Sequence, residues 1–458
     1  MQALPVDDVL ADVVASLTTG RNLVLTAPPG SGKSTRVPPA LARALAGQVY
    51  LLQPRRIAAT SLARRMASEQ PGWRIGRDVG YRVRFERSGD ASTRLWVMTE
   101  GSLTRQLQAD PYLEGVGTVI LDEFHERSLH TDLALAYLRE LQTTVREDLR
   151  LVVMSATMDP APVARFLGDC PVLSTDGRVF PVTASHWQGA LDLPLPDLVA
   201  RAVESARRDP DCGDILVFLP GVGEIRACER ALAHLASEVD VLPLHGSLTG
   251  DEQERALSPG PKQRVVLATN VAETSVTIPG VRTVIDSGLA RVVYHSPVTG
   301  LEELRREAIS RASASQRAGR AGRTAPGRCI RLWTPLADAR LSPATAPDVR
   351  RVDLAPACIA LKQWSHADSR RFPWFEAPEP ERLVAAEELL ALLKAVDEPY
   401  GPLNQLGARL ATLPVHPRFG RLMHAAASAQ APVLGATLAA LASERDLRLP
   451  RRAQDAPA

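Results

Sequence analysis

Lysine is nearly missing from this chain. Only Lys33, Lys262, Lys362 and Lys394 carry an ammonium group; every other cation among its 54 Lys and Arg residues is an arginine. A GC-rich genome accounts for the bias, and it makes each remaining lysine a residue to explain, Lys33 above all. An excess of either charge is missing too: 54 cations face 52 Asp and Glu, a formal net charge of +2, so overall charge does not announce a nucleic-acid binder. Aromatic residues make up 4% and interleave little with basic ones, so base-stacking platforms are not evident. The five cysteines (Cys170, Cys212, Cys228, Cys329, Cys358) are scattered with no CxxC pair, which fits reduced thiols in a cytoplasmic protein and argues against a disulfide framework or a zinc cluster. No apolar run is long enough to span a bilayer. The stretch "MQALPVDDVLADVV" puts acids where a signal peptide needs positive charge, so no membrane partner is expected. What is present is ordinary for a globular protein, 45% hydrophobic and 23% charged residues, and 458 residues suit about two to four domains.

Apolar runs then set the fold. "NLVLTA" (22–27), "QVYLLQ" (48–53), "RLWVMT" (94–99), "GTVILDE" (117–123) and "LRLVVMSAT" (149–157) read as buried strands with helical segments between several of them. A second set follows at 214–220, 238–246, 263–270, 281–288 and 327–333. The expected fold class is α/β, two tandem domains each built on a parallel sheet flanked by helices. The joint falls at "STDGRVFPVTA" (174–184), where a turn signal and a proline break the pattern. Beyond about residue 340 the spacing turns helical, through "RVDLAPACIALKQW" and "PERLVAAEELLALLKAVD". The expected division is 1–173, 174–340, 341–415 and 416–458, the last the start of a helical bundle that stops as in a truncated chain.

"APPGSGKST" (27–35) follows the first strand and opens a helical segment, the P-loop arrangement with Ala27 in the first glycine position. Gly30 and Gly32 let the backbone curl so that successive N–H groups face a phosphate, and the helix N-terminus adds to that anion site. Gly30, Ser31, Gly32, Lys33, Ser34 and Thr35 are the nucleotide-binding candidates, with Lys33 a point charge for the outer phosphates and Ser34 a hydroxyl ligand for Mg²⁺. "TVILDE" supplies the other half: Asp122 to hold Mg²⁺ and Glu123 to take the proton from the attacking water. The same stretch, "LDEFHERSLH", invites a zinc reading through His125, Glu126 and His130. HExxH works because its histidines are four apart. Here they are five apart, about 140° around a helix, which separates the imidazoles.

In order along the chain stand "APPGSGKST", "LQPRRIAA", "DEFH", "SAT", "ATNVAETSVTIPG" and "QRAGRAGR". Together they resemble the superfamily 2 helicases of the DEAH/RHA type, most closely the bacterial HrpB-type group, over about residues 5 to 445. The resemblance implies two RecA-like domains with ATP between them. Phe124 stands where Ala is usual. In "QRAGRAGR", Gln316, Arg320 and Arg323 fall at i, i+4 and i+7, one face of a helix. The resemblance implies that Gln316 positions the water and that both arginines reach the γ-phosphate from the second domain, stabilising charge that develops during transfer. It makes His125 the link to the second domain, with Gln316 its expected partner, and assigns the base clamp to Arg65 and Leu257. Leu257 covers a base without π stacking, so little discrimination among ATP and other NTPs is expected.

Opposite the nucleotide motifs the resemblance implies a nucleic-acid track: Arg55 and Arg56, Thr99 and Gly101, Gly246 and Ser247, Thr269 and Asn270. Amides, hydroxyls and arginines on phosphate and sugar bind without reading sequence. "RVVYHSPVTGLEEL" reads as a hairpin, and 341–415 as winged-helix-like. The expected activity is an ATP-dependent RNA helicase, a monomer stepping 3′ to 5′ on single-stranded RNA. Two alternatives stay open, a nucleotide-switched RNA-binding scaffold without unwinding and a DNA helicase of the same fold; no feature of the sequence reads a 2′-hydroxyl.

Overall fold

The computed structural model describes residues 3–176, 180–273, 278–296, 300, 302–323 and 325–443. By their contacts they form two units, Met1–Tyr294 with Glu303–Asp348, and His295–Glu302 with the chain from Val349 onward.

Among the described residues the first unit holds two large sheets and a two-stranded one. The first contains β1 (Asn22–Thr26), β2 (Gln48–Gln53), β3 (Val79–Val83), β4 (Glu86–Ser88), β5 (Leu95–Thr99), β6 (Val116–Leu121), β7 (Arg150–Ser155) and β8 (Val172–Ser174), in the order β4-β3-β5-β2-β6-β7-β1-β8. All neighbours are parallel except β3 and β4. The chain then adds β9 (Val182–His186), β10 (Asp214–Phe218), β11 (Val239–Leu244), β12 (Gln263–Ala268), β13 (Val281–Asp286), β14 (Leu289–His295), β15 (Glu302–Ala308) and β16 (Gly327–Arg331). Six of these make an all-parallel sheet, β11-β12-β10-β13-β16-β9, and β14 pairs with β15. The chain leaves the first sheet at Ser174 and enters the second at Val182; within that joint, 177–179 lie outside the described residues.

The central strands are buried over almost their whole length, as their Val, Leu and Ile runs require when helices cover both faces. Every strand anticipated from an apolar run is present. Four were not anticipated, and they sit toward sheet margins: β4 and β8 at the two edges of the first sheet, β3 beside β4, and β9 at the edge of the second. Edge strands have less apolar surface to bury. The sequence of β9, "VTASH", is half-exposed or exposed throughout. In β3, "VGYRV" breaks its apolar run with Gly80 because a Cβ there would lie 2.5 Å from the Ser88 carbonyl and 3.1 Å from the Trp96 ring. Because the strands are parallel, their carboxyl ends share one edge, and the loops that leave them converge there.

The hairpin expected at 291–304 is β14 with β15; 297–299 and 301, within its turn, lie outside the described residues. The second unit is helical: Ala355–Trp364, Pro380–Leu392, Gln405–Ala411, Pro417–Ser428 and Pro432–Ser443. Its centre is a fully buried ion pair. Lys362 Nζ lies 2.9 Å from Glu387 Oε2 and donates to the carbonyls of Ala367 and Gly401. Glu387 also accepts from the Ser369 hydroxyl and the Tyr400 amide, so both charges are satisfied. All five cysteines are free. Among the described residues no helix is long and apolar enough to cross a membrane.

Candidate active site

β1 ends at Thr26, and the loop that follows returns as the helix Lys33–Ala44. The Ala27 amide donates to the carbonyl of Ser155, at the end of β7, so the loop leaves the sheet beside that strand. Gly30 and Gly32 take φ of +86° and +90°, values open to glycine at no steric cost. A Cβ on Gly32 would also lie 2.6 Å from the Leu4 side chain, and the Val6 amide donates to the Ser31 carbonyl, so residues 4–6 brace the loop from behind. The Thr35 hydroxyl bonds the Gly32 carbonyl and holds the turn. The Ser31 hydroxyl is buried with no hydrogen-bond partner among the described residues. An orphaned polar group in a glycine-curled loop at a helix N-terminus is what an anion pocket leaves behind.

β6 delivers the acids. The Asp122 amide bonds the Leu52 carbonyl of β2, which sets Asp122 against Gln53, and Gln53 Nε2 donates to Asp122 Oδ2 at 2.7 Å. Gln53 is part of "LQPRR", yet its role had no sequence signal; adjacency of β2 and β6 gives it one. Burial first, then the charge of Glu123, pushes the Asp122 carboxyl up, against Lys33 and the hydrogen bonds of Ser34 and Gln53. A buried carboxylate short of positive charge, paired with the Ser34 hydroxyl, is an oxygen donor set that fits Mg²⁺. That ion takes one or two protein ligands and completes its shell with water and substrate phosphate. Among the described residues no three His, Cys, Asp or Glu gather as a metal cluster.

Glu123 stands in the left-handed region at φ +51°, as does Arg127 at +49°, and between them Phe124–Glu126 form one tight turn. Burial alone would raise the Glu123 carboxyl, but Lys33, His125, Arg320 and Arg323 together outweigh it and hold it at about 2. Lys33 Nζ is 3.4 Å from Glu123 Oε2, and His125 Nδ1 is 3.7 Å from the same oxygen. Phe124 now has an account: its side chain is completely buried, the Arg127 guanidinium lies 5.8 Å from the ring centre, and Arg127 forks onto Asp132 at 2.8 and 2.9 Å. The ring fills core and pins the turn that carries the acids.

The second sheet contributes the opposing charges, with one correction. The helix expected to run through "QRAGRAGR" is Arg311–Ala318 and ends there; Arg320 and Arg323 leave from the turns beyond it, not from a helix face. Gly322 is required by packing, since a Cβ would lie 2.5 Å from the Phe180 carbonyl. Arg317, unassigned from sequence, anchors the segment: it is buried, 2.8 Å from Glu273, 3.0 Å from Asp286, with the Phe218 ring beneath it. Arg320 bonds the Glu273 carbonyl. Burial lowers Arg320 well below its usual range, the neighbouring Arg323 adding to it, and burial lowers Arg323 to about 10; the charge of Glu123 opposes both shifts. Cations held out of water beside one carboxylate form a site that a polyanion completes.

Gln316 does not meet His125. Its Nε2 donates to Thr157 Oγ1 at 3.0 Å, so the link from second sheet to first runs to the "SAT" segment. His125 reaches Ser155 at 3.5 Å through Nδ1, and its Nε2 is buried with no hydrogen-bond partner among the described residues.

Of the expected track residues, the structure brings some together. Arg55 donates to the Asn270 carbonyl across the two sheets and lies 3.1 Å from Glu126. Arg56 and Gly246 line one cavity of about 520 Å³, with Leu257 on its wall. Arg65, the expected partner of Leu257, has its guanidinium on Glu69 at 2.8 Å. Thr99 bonds Ser102, and Ser247 bonds His245. A Cβ on Gly101 or Gly246 would meet nothing, which leaves both backbones open to close approach. The Thr269 amide bonds the Leu244 carbonyl.

Residues 8–166 match the DEAD/DEAH box helicase family, and 199–325 match the helicase conserved C-terminal domain. The chain is 40% identical to the ATP-dependent RNA helicase HrpB of Escherichia coli (strain K12), covering 97% of this chain and 55% of that protein. It is 37% identical to the human probable ATP-dependent RNA helicase DHX34, covering 92% of this chain and 38% of that one. The crystal structure of the Escherichia coli DEAH/RHA helicase HrpB superposes with a TM-score of 0.89, covering 96% of this chain and 56% of that chain. The chain thus spans about half or less of the length of the relatives it matches. Two tandem RecA-like domains, a phosphate loop facing paired acids, arginines from the second domain and these likenesses converge: the chain belongs to the DEAD/DEAH box helicase family and is similar in sequence and structure to the DEAH/RHA helicase HrpB.

Proposed function

We propose that the chain is the motor part of an ATP-dependent RNA helicase, coupling NTP hydrolysis to 3′–5′ stepping on single-stranded RNA. The observation that carries this reading is the convergence of Lys33 and Arg320, both buried, and the half-buried Arg323 on Glu123 beside Ser34 and Asp122. In that arrangement Lys33 leaves Glu123 for the phosphates of the incoming nucleotide. Glu123, relieved of part of its positive surroundings, becomes a stronger base and takes a proton from water. The water oxygen bonds the γ-phosphorus as the bond to the ADP oxygen breaks, and Arg320 and Arg323 stabilise the charge on the transferring group. Mg²⁺, held by Ser34 and Asp122, would neutralise phosphate oxygens. Thr157, bonded to Gln316, then carries the change of nucleotide state between the domains.

The two relatives, one an ATP-dependent RNA helicase and the other a probable one, support RNA and ATP. Leu257, on the wall of the cavity, would cover a base without stacking on it, which supports acceptance of other NTPs. The track is Arg55, Arg56, Thr99, Gly101, Gly246, Ser247, Thr269 and Asn270. The helices between 355 and 411, with the bridge Val396 to Leu403, support a winged-helix-like domain over 341–415. A cytoplasmic monomer is the proposed state. The test is ATP turnover of this chain alone, with poly(U) and with single-stranded DNA at matched salt. Stimulation by RNA above DNA is expected; equal stimulation turns the reading to a DNA or general translocase, and turnover without response to either strand contradicts it.

A further inference from the structure

Glu100 is the first residue of the helix Glu100–Ala109, between Thr99 and Gly101, and it is buried. Its carboxyl meets two hydroxyls. Oε2 pairs with Ser128 and Oε1 with Thr131, and the two hydroxyl oxygens lie 2.7 Å from each other. Ser128 Oγ also accepts from the Thr131 amide, capping the helix Leu129–Thr144. Three oxygen–oxygen contacts close a ring, yet two hydroxyls supply only two hydrogens. The third must come from the carboxyl itself.

We propose that Glu100 is held as a neutral carboxylic acid and acts as a positioning residue, tying the strand-binding segment at Thr99 to the segment that follows Glu123. The coupling rests on the helicase reading above. The ring then runs in one sense: the acid donates to one hydroxyl, that hydroxyl to the other, and the second back to the carboxyl. Ionisation removes one bond of the three and leaves a buried anion. The surroundings agree. Burial pushes the carboxyl up to about 7; the Ser128 and Thr131 hydrogen bonds lower it, while the charges that reach it, Glu126 from the acid turn and Asp348, are both negative and raise it further. Asp348 caps the same helix through the Leu129 amide, and its own amide bonds the Arg127 carbonyl. Segment 126–131 is therefore gripped from two stretches of the track, by Arg55 on Glu126 and by Glu100 on Ser128 and Thr131. A strand that shifts Thr99 shifts the turn that carries Glu123.

Two measurements test this. Thermal unfolding without nucleotide or RNA reads the proton by itself: Glu100→Gln, which can both donate and accept, gains Tm relative to wild type as pH rises from 5.5 to 8.5. A gap that stays constant over that range overturns the proposal whatever RNA does. ATP turnover over the same range, with and without saturating poly(U), reads the coupling. Stimulation of the wild type falls at least threefold toward high pH, Glu100→Gln keeps a flat profile within twofold of the wild-type maximum, and Glu100→Ala loses stimulation tenfold with basal turnover within twofold. Glu100→Gln losing stimulation as Ala does, or sharing the wild-type pH profile, overturns the proposal. A wild type that turns over ATP but ignores RNA at every pH contradicts the helicase reading, and the coupling with it, while the unfolding result still decides the protonation.

Discussion

Phe124 is the residue at which motif and core meet. Its three neighbours have chemical reasons to be where they are, and the ring has a mechanical one: it is completely buried under a guanidinium fixed to Asp132. Phe124→Ala, which restores the more usual letter, is expected to leave a cavity and lower unfolding free energy by about 3 kcal/mol or more; a loss below about 1 kcal/mol by urea titration contradicts the packing account. Glu123 offers a second residue-scale test. Its carboxyl is held at about 2, below the ordinary glutamate value of 4.5. A lowered folded-state value stabilises the fold above the unfolded value, and that contribution is lost as pH falls toward 2. The stability lead of wild type over Glu123→Gln in nucleotide-free protein should therefore shrink between pH 4.5 and pH 2. A lead that does not change there means that the cations do not converge on this carboxyl.

Among elements, the helices of the second unit depend on one buried pair. Removing Lys362 leaves Glu387 charged and sealed from water, so Lys362→Met should cost about 3–5 kcal/mol, and adding Glu387→Leu should recover most of it. Equal stability of wild type and the single variant in thermal unfolding would contradict this. The elements also show what the sequence made legible. Every apolar run read as a buried strand is one, because burial on both faces leaves little room for polar letters. Edge strands β4, β8 and β9 were not legible, since half their residues face water and resemble loop. The helix drawn through Arg320 and Arg323 was misread for a different reason: i, i+4, i+7 spacing is equally compatible with turns when glycines stand at 319 and 322, and only the approach of the Phe180 carbonyl shows why Gly322 is there.

At the scale of the whole molecule, the phosphate loop and the paired acids were legible because their chemistry is local, a few residues at the end of one strand. Contacts between distant segments were not. Gln53 on Asp122, Gln316 on Thr157 and Arg55 on Asn270 depend on strand order and domain closure, which no single stretch encodes. A carboxylate ringed by cations from both RecA-like domains is the proposed base for NTP hydrolysis. The most direct measurement is steady-state ATP turnover of wild type and Glu123→Gln at saturating poly(U), with nucleotide binding followed in parallel. The account predicts at least a 100-fold loss of turnover, in the range of about 10²–10⁴ for a general base, with nucleotide still bound. RNA-stimulated turnover that survives the substitution within tenfold would contradict it.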